Sequence, residues 1–124
     1  NRVAMIIAVL EKRTGLLLGG HDIFVNVVGG VKIDEPAADL GIAIAIASSF
    51  KDVAMSSDTI IIGELGLGGE IRGVNQFESR LKEAERLGFK NAIVPNDNSN
   101  DSPGIKSLKI TVVSSLAEAI DKIC

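Results

Sequence analysis

Tryptophan and tyrosine are absent from the 124 residues, and phenylalanine occurs only four times. Because 46% of the chain is hydrophobic, its core must be Ile, Val, Leu and Ala packing. Cysteine and histidine are nearly missing too, with Cys124 and His21 the single representatives. That excludes an internal disulfide and a Cys/His zinc site, and it is compatible with a reducing cytoplasm. An excess of basic charge is also lacking. Thirteen Lys and Arg stand against sixteen Asp and Glu, for a net charge of −3. Read as a whole, this is not a basic nucleic-acid module, so DNA binding requires a local basic patch on an acidic body. No apolar run reaches the ~20 residues that span a bilayer. The longest, Leu40 to Ala47, reads as a buried helix or strand. These residues carry no signal-peptide pattern, no internal repeat, no low-complexity tract and no linker.

The length suits one domain, enough to bury roughly two-thirds of its unfolded surface. The first residue is Asn1, not Met, and a helical pattern starts at once. The expectation is a fragment of a longer protein.

Val3, Ile6, Ile7 and Leu10 recur at helical spacing, and Glu11-Lys12-Arg13 close the pattern before Gly15. Ile23 to Val28 reads as a strand broken by Gly29-Gly30. Pro36 opens a second helix over Ala37 to Phe50, apolar on nearly every side and so predicted to be wrapped by other elements. Thr59 to Gly63 is a short apolar strand, and Glu64 to Val74 a Gly-rich hairpin or bulged connection. Phe77, Leu81, Ala84 and Gly88 mark the inner face of a third helix. Asn91 to Val94 is a strand stopped by Pro95, and Asn96 to Gly104 a polar loop expected to be the most mobile segment. Ile110 to Val113 is the last strand, and Ser114 or Ser115 caps a helix carrying Leu116, Ala119, Ile120 and Ile123. Strands alternating with helices predict an α/β or α+β two-layer fold.

Candidates for chemistry are few. Gly66-Leu67-Gly68-Gly69-Glu70 lacks the Lys-Ser/Thr of a P-loop and the third Gly of a dinucleotide fingerprint, so it reads as a tight hairpin. His21 reads as a polar turn residue, and Asp34-Glu35 as a solvated pair insufficient for a divalent metal. Arg80, Lys82, Arg86 and Lys90 are interleaved with Glu78, Glu83 and Glu85, which makes a charge-balanced helix surface. Lys32 and Arg72 differ. Each follows a glycine turn, where a phosphate approaches closely.

The layout Gly63-Glu64-Leu65-Gly66-Leu67-Gly68-Gly69-Glu70-Ile71-Arg72, a helix, Gly88-Phe89-Lys90 and Ile93-Val94-Pro95-Asn96 resembles the proteolytic domain of the Lon protease family. So do Asp22-Ile23-Phe24-Val25 and Pro36 to Ala43. The likeness covers most of the chain and implies a fold of the ribosomal protein S5 domain 2-like type. Lon-type proteases use a Ser-Lys dyad, in which a desolvated lysine acts as base. Counting back from Gly41, the family's serine falls on Asp39; alignment gaps offer Ala37 or Ala38. No Ser, Thr or Cys lies between Lys32 and Ala47. The family's lysine falls on Arg80, which stays protonated. The resemblance therefore implies a degenerate site, and an Asp39–Arg80 ion pair across it is the expectation. The alternative is an active protease using Ser48, Ser49, Ser56 or Ser79 with Lys82.

More specifically, Asn1-Arg2-Val3-Ala4, Ala8 to Arg13, Phe24 to Lys32 and Ala38-Asp39-Leu40 resemble the C-terminal Lon-like domain of a family of bacterial DNA-repair ATPases. That resemblance implies a parent with a zinc finger and a RecA-like ATPase domain, both outside residues 1–124. It implies ATP, Mg and Zn in those domains and no cofactor or metal here. It implies double-stranded or branched DNA and a RecA-type recombinase as partners, a homo-oligomer in a hexameric ring, no membrane, and a bacterial cytoplasmic location. Lys32 and Arg72 are then the expected phosphate contacts.

Overall fold

In the computed structural model, which describes residues 2–20, 23, 34–101 and 104–124, helix α1 spans Arg2–Thr14. Ile6, Val9 and Leu10 form its buried stripe, and Lys12 and Arg13 sit in the last turn, where cations suit the helix dipole. Gly15, at a φ of 75°, ends it in the left-handed conformation glycine adopts without steric cost. The strand predicted over Ile23 to Val28 lies, apart from Ile23, outside the described residues, as do His21 and Lys32.

Pro36 begins a 3-10 turn, Pro36–Ala38, that feeds helix α2 at Asp39–Phe50. The Glu35 carboxylate accepts from the Ala37 N–H at 3.2 Å. Leu40, Ala43, Ile44, Ile46, Ala47 and Ser48 are all buried, so α2 is enclosed on several sides as its all-round apolarity predicts. Strand β1 is Thr59–Ile61. A short antiparallel hairpin follows, β2 at Glu64–Leu65 and β3 at Ile71–Arg72, with Glu64 opposite Arg72. Helix α3 is Phe77–Arg86 and strand β4 is Asn91–Pro95. Strand β5, Lys109–Val113, precedes helix α4, Leu116–Ile123.

β1, β4 and β5 form a parallel sheet in the order β1-β4-β5. Parallel strands need crossovers, and these bring helices to the sheet faces. On one face Ile93 and Val113 join residues of α1, α2 and α4 in the larger core cluster. On the other, Ala92 and Val94 pack with Phe77, Leu81 and Ala84 of α3. The described residues thus make three layers, helix–sheet–helix, where two were expected. The reason is that the α3 crossover lands on the face opposite α2. Among the described residues, no helix is long and apolar enough to cross a membrane.

Local differences from the sequence reading have simple causes. Gly88 is exposed, at a φ of 89° just past α3, so it terminates the helix and is not part of its inner face. Pro95 is the last residue of β4, a position that tolerates its missing donor. Of the segment expected to be most mobile, 96–104, the part Asn96–Asp101 forms a 3-10 helix fastened to the exit of the hairpin, and residues 102–103 lie outside the described residues. The buried Asn98 side chain accepts from the Val74 N–H at 2.8 Å and donates to the Val74 carbonyl at 3.2 Å, and Asp97 accepts from the Gly73 N–H at 3.3 Å. Asn98→Ala leaves the Val74 groups without these partners. The expected loss is about 1 to 2 kcal/mol, read as a lowered Tm in circular dichroism. At α4 the choice between two serines resolves to Ser115, whose hydroxyl accepts from the Glu118 N–H at 3.1 Å, while Glu118 reaches back to the Ser114 N–H at 2.7 Å.

Candidate functional site

Between the Pro36–Ala38 turn, β1 and α3 runs an open groove of about 460 Å³, lined by Ala37, Ala38, Ile60 to Ile62, Ala84 and Leu87, with Glu35, Ser79, Arg80 and Glu83 as its polar members. Arg80 leans over it but is tied down. Its Nε donates to the Asn75 carbonyl at 2.9 Å, and its Nη2 donates to Asn75 Oδ1 at 3.1 Å and Glu35 Oε1 at 3.2 Å. A guanidinium cannot accept a proton from a nucleophile. The alternative base, Lys82, is not among the lining residues. It pairs with Glu78 at 2.8 Å, as the i,i+4 spacing predicts, and that hydrogen bond raises its pKa, away from what a general base needs. Of the alternative nucleophiles, Ser48 is buried and donates to the Ala45 carbonyl at 3.1 Å, and Ser56 caps the Asp58 N–H at 3.2 Å.

The expected Asp39–Arg80 pair does not form. Asp39 is 1% exposed and faces away from the groove, into the junction of α1, α2 and the hairpin. Arg2, the first residue of α1, grips it with two parallel hydrogen bonds: Nε donates to Oδ1 at 2.8 Å and Nη2 donates to Oδ2. The Leu65 N–H also donates to Oδ2, at 3.0 Å, and Glu64 lies 3.8 Å from Arg2. The hydrogen bond to Asp39 raises the Arg2 pKa further. The geometric reason is the turn of the chain. The 3-10 turn presents Ala37 and Ala38 to the groove, and the next residue is rotated into the core side. Opposite Arg80, then, stand two alanines, and the carboxylate it meets is that of Glu35, not Asp39. The sequence held no signal for this, since the partner is 37 residues upstream.

Of the two expected phosphate contacts, only Arg72 can be located. It is 53% exposed on β3, and its Nη2 lies 3.0 Å from Glu70 Oε2, the acid two residues before it. Glu70 also accepts from the Gly68 N–H at 3.0 Å. Its own backbone N–H, then Arg72, then Gly68 hold its carboxyl below the usual range. At the same turn Arg13 donates to the Leu67 carbonyl at 3.3 Å and its side chain covers Gly69. The Glu70–Arg72 contact was legible, because residues two apart on a strand share a face; Arg13 was not.

Fold and groove define an α/β domain with a parallel sheet whose cleft carries a tethered arginine. The chain belongs to the family described as subunit ChlI of Mg-chelatase, which matches residues 1–98. Among curated proteins it is similar to the DNA repair protein RadA of Bacillus subtilis, 49% identical over 120 residues, covering 97% of this chain and 26% of that protein. The DNA repair protein RadA of Streptococcus pneumoniae is 46% identical over 123 residues, or 99% of this chain and 29% of that protein. That of Aquifex aeolicus is 46% identical over 121 residues, or 98% and 27%. The chain therefore spans about a quarter of the length of the curated relatives it matches.

Proposed function

We propose that this chain is a non-proteolytic, Lon-like scaffold domain of a bacterial, cytoplasmic DNA-repair ATPase. In this reading the whole protein processes recombination intermediates by branch migration beside a RecA-type recombinase. The domain supports a hexameric ring and touches double-stranded DNA. The observation that carries the reading is the similarity to DNA repair proteins along nearly the whole chain. The tethered Arg80 supports the loss of protease chemistry, with Ala37 or Ala38 in place of the nucleophile. ATP, Mg and Zn belong to domains outside these residues.

Lys32 and Arg72 are the proposed phosphate contacts. Each is a weak contact alone, and a ring multiplies them around one duplex. The test is fluorescence anisotropy of a labelled duplex with the full-length protein. Affinity is expected to fall by about tenfold or more between roughly 50 and 200 mM salt, and Lys32→Ala with Arg72→Ala to flatten that slope. Wild-type affinity in the double variant at matched salt removes the two assignments. Hydrolysis of unfolded casein by the purified chain, abolished by one Ser→Ala change, overturns the non-proteolytic reading.

A further inference from the structure

The turn joining β2 to β3 is built around a carboxylate. The Gly66 N–H donates to the Glu70 carbonyl at 2.9 Å and the Gly69 N–H to the Gly66 carbonyl at 3.0 Å, which closes a tight loop. Gly69 takes a φ of 83°. The Glu70 side chain folds back over this loop so closely that a Cβ on Gly66 would lie 2.2 Å from its carboxylate carbon. Its two oxygens divide the work. Oε1 receives the Gly68 N–H, and Oε2 receives the Arg72 guanidinium. A backbone N–H presented at a turn attracts an anion, here the Gly68 N–H, since those of Gly66 and Gly69 are spent within the loop, and a guanidinium beside it adds a fork suited to phosphate. Arg13 supplies a second guanidinium at the same turn. Glu64, opposite Arg72 in the hairpin register, is directed to Arg2.

We propose that the Glu70 carboxylate is an internal stand-in for phosphate: it occupies the 66–70 turn and occupies Arg72, and a backbone phosphate of duplex DNA takes its place on the Gly68 N–H and Arg72. This rests on the DNA-binding reading above and adds to it an autoinhibitory contact. Arg72 is available to DNA only when Glu70 swings out. The displaced carboxylate is 49% exposed, so it has solvent to move into.

Two variants release the site by different routes. Glu70→Gln removes the charge and keeps the shape. Gly66→Ala keeps the net charge and puts a methyl group where the carboxylate lies, and the far end of a flexible side chain yields to it. Glu78→Gln, on α3, makes the same charge change outside the hairpin. Duplex anisotropy at low salt is expected to show a gain of roughly fivefold for Glu70→Gln, the upper end for an exposed charge pair. Gly66→Ala should shift in the same direction and Glu78→Gln by less than about twofold. Adding Arg72→Ala to Glu70→Gln should erase the gain. A gain no larger than that of Glu78→Gln, or one that survives Arg72→Ala, overturns the proposal. In parallel, pyrophosphate is titrated into the wild type and Glu70→Gln while the Gly68 amide resonance is followed by NMR. A shift confined to Glu70→Gln supports the anion site. No shift in either protein overturns it. If no protein binds duplex but the Gly68 amide shifts, DNA is the wrong partner and the anion site stands.

Discussion

Arg2→Ala is expected to destabilise the chain by about 3 kcal/mol, the lower end of the cost of stripping one partner from a buried ion pair. The lower end applies because Arg2 is 27% exposed and water will partly replace it. Asp39 has no such relief. At 1% exposed it would keep only the Leu65 N–H as a described donor, and an uncompensated carboxylate in an aliphatic core is costly. Arg2→Lys should recover little, since a point charge cannot supply the two-pronged grip on Oδ1 and Oδ2. Urea unfolding measures the effect as a lower midpoint at unchanged slope. In a double-mutant cycle, adding Asp39→Ala to Arg2→Ala should cost less than the sum of the single changes, because no orphaned charge is left. A loss below about 1 kcal/mol for Arg2→Ala would place the pair with ordinary surface ion pairs and refute its role.

Leu40→Ala is expected to cost about 2 to 5 kcal/mol. Leu40 is fully buried in the larger core cluster, and its side chain approaches the site of Gly63 so closely that a Cβ there would meet it at 3.3 Å. Its N–H is bonded to the Gly63 carbonyl at 3.0 Å, so the backbone cannot easily shift to fill the space. The cavity term therefore stays. Leu87→Ala is the comparison: at 59% exposed it removes the same atoms and should change stability by no more than about 0.5 kcal/mol. Equal effects at the two positions would mean that the α2–hairpin junction is not close-packed.

The helices were legible because their signals are local. Ile6 and Leu10 repeat at helical spacing and are buried; Pro36 and Ser115 sit at helix starts and Gly15 just past a helix end, whereas Gly88, read as inner face, lies past the end of α3. The strands of the parallel sheet were legible as short, mostly apolar runs, as strands of a sheet with helices on both faces tend to read. The candidate site was half legible. Arg80 was singled out from the position of a lysine in a family the sequence resembles, and the groove is lined by it together with Ala37 and Ala38. Asp39 was assigned to the same groove and lies outside it. One helical step of about 100° separates neighbouring residues, and an alignment ambiguous by two positions cannot choose between faces. The buried role of Asn98 was hidden for a related reason. A run of Asn, Asp and Ser reads as solvated loop unless one knows that Val74 offers an N–H and a carbonyl within reach.

What the amino-acid order determined by itself is what depends on near neighbours and on composition. That covers the aliphatic core, the element order, the caps, the Glu78–Lys82 pair and the exclusion of an internal disulfide and a Cys/His zinc site. Tertiary structure decided which charges meet. Arg2 found Asp39 across 37 residues and Arg80 found Glu35 across 45. It also decided that α3 covers the sheet face opposite α2. Periodicity states that a residue faces inward but not what it faces, because the partner is brought there by the packing of separate elements and by the turns between them.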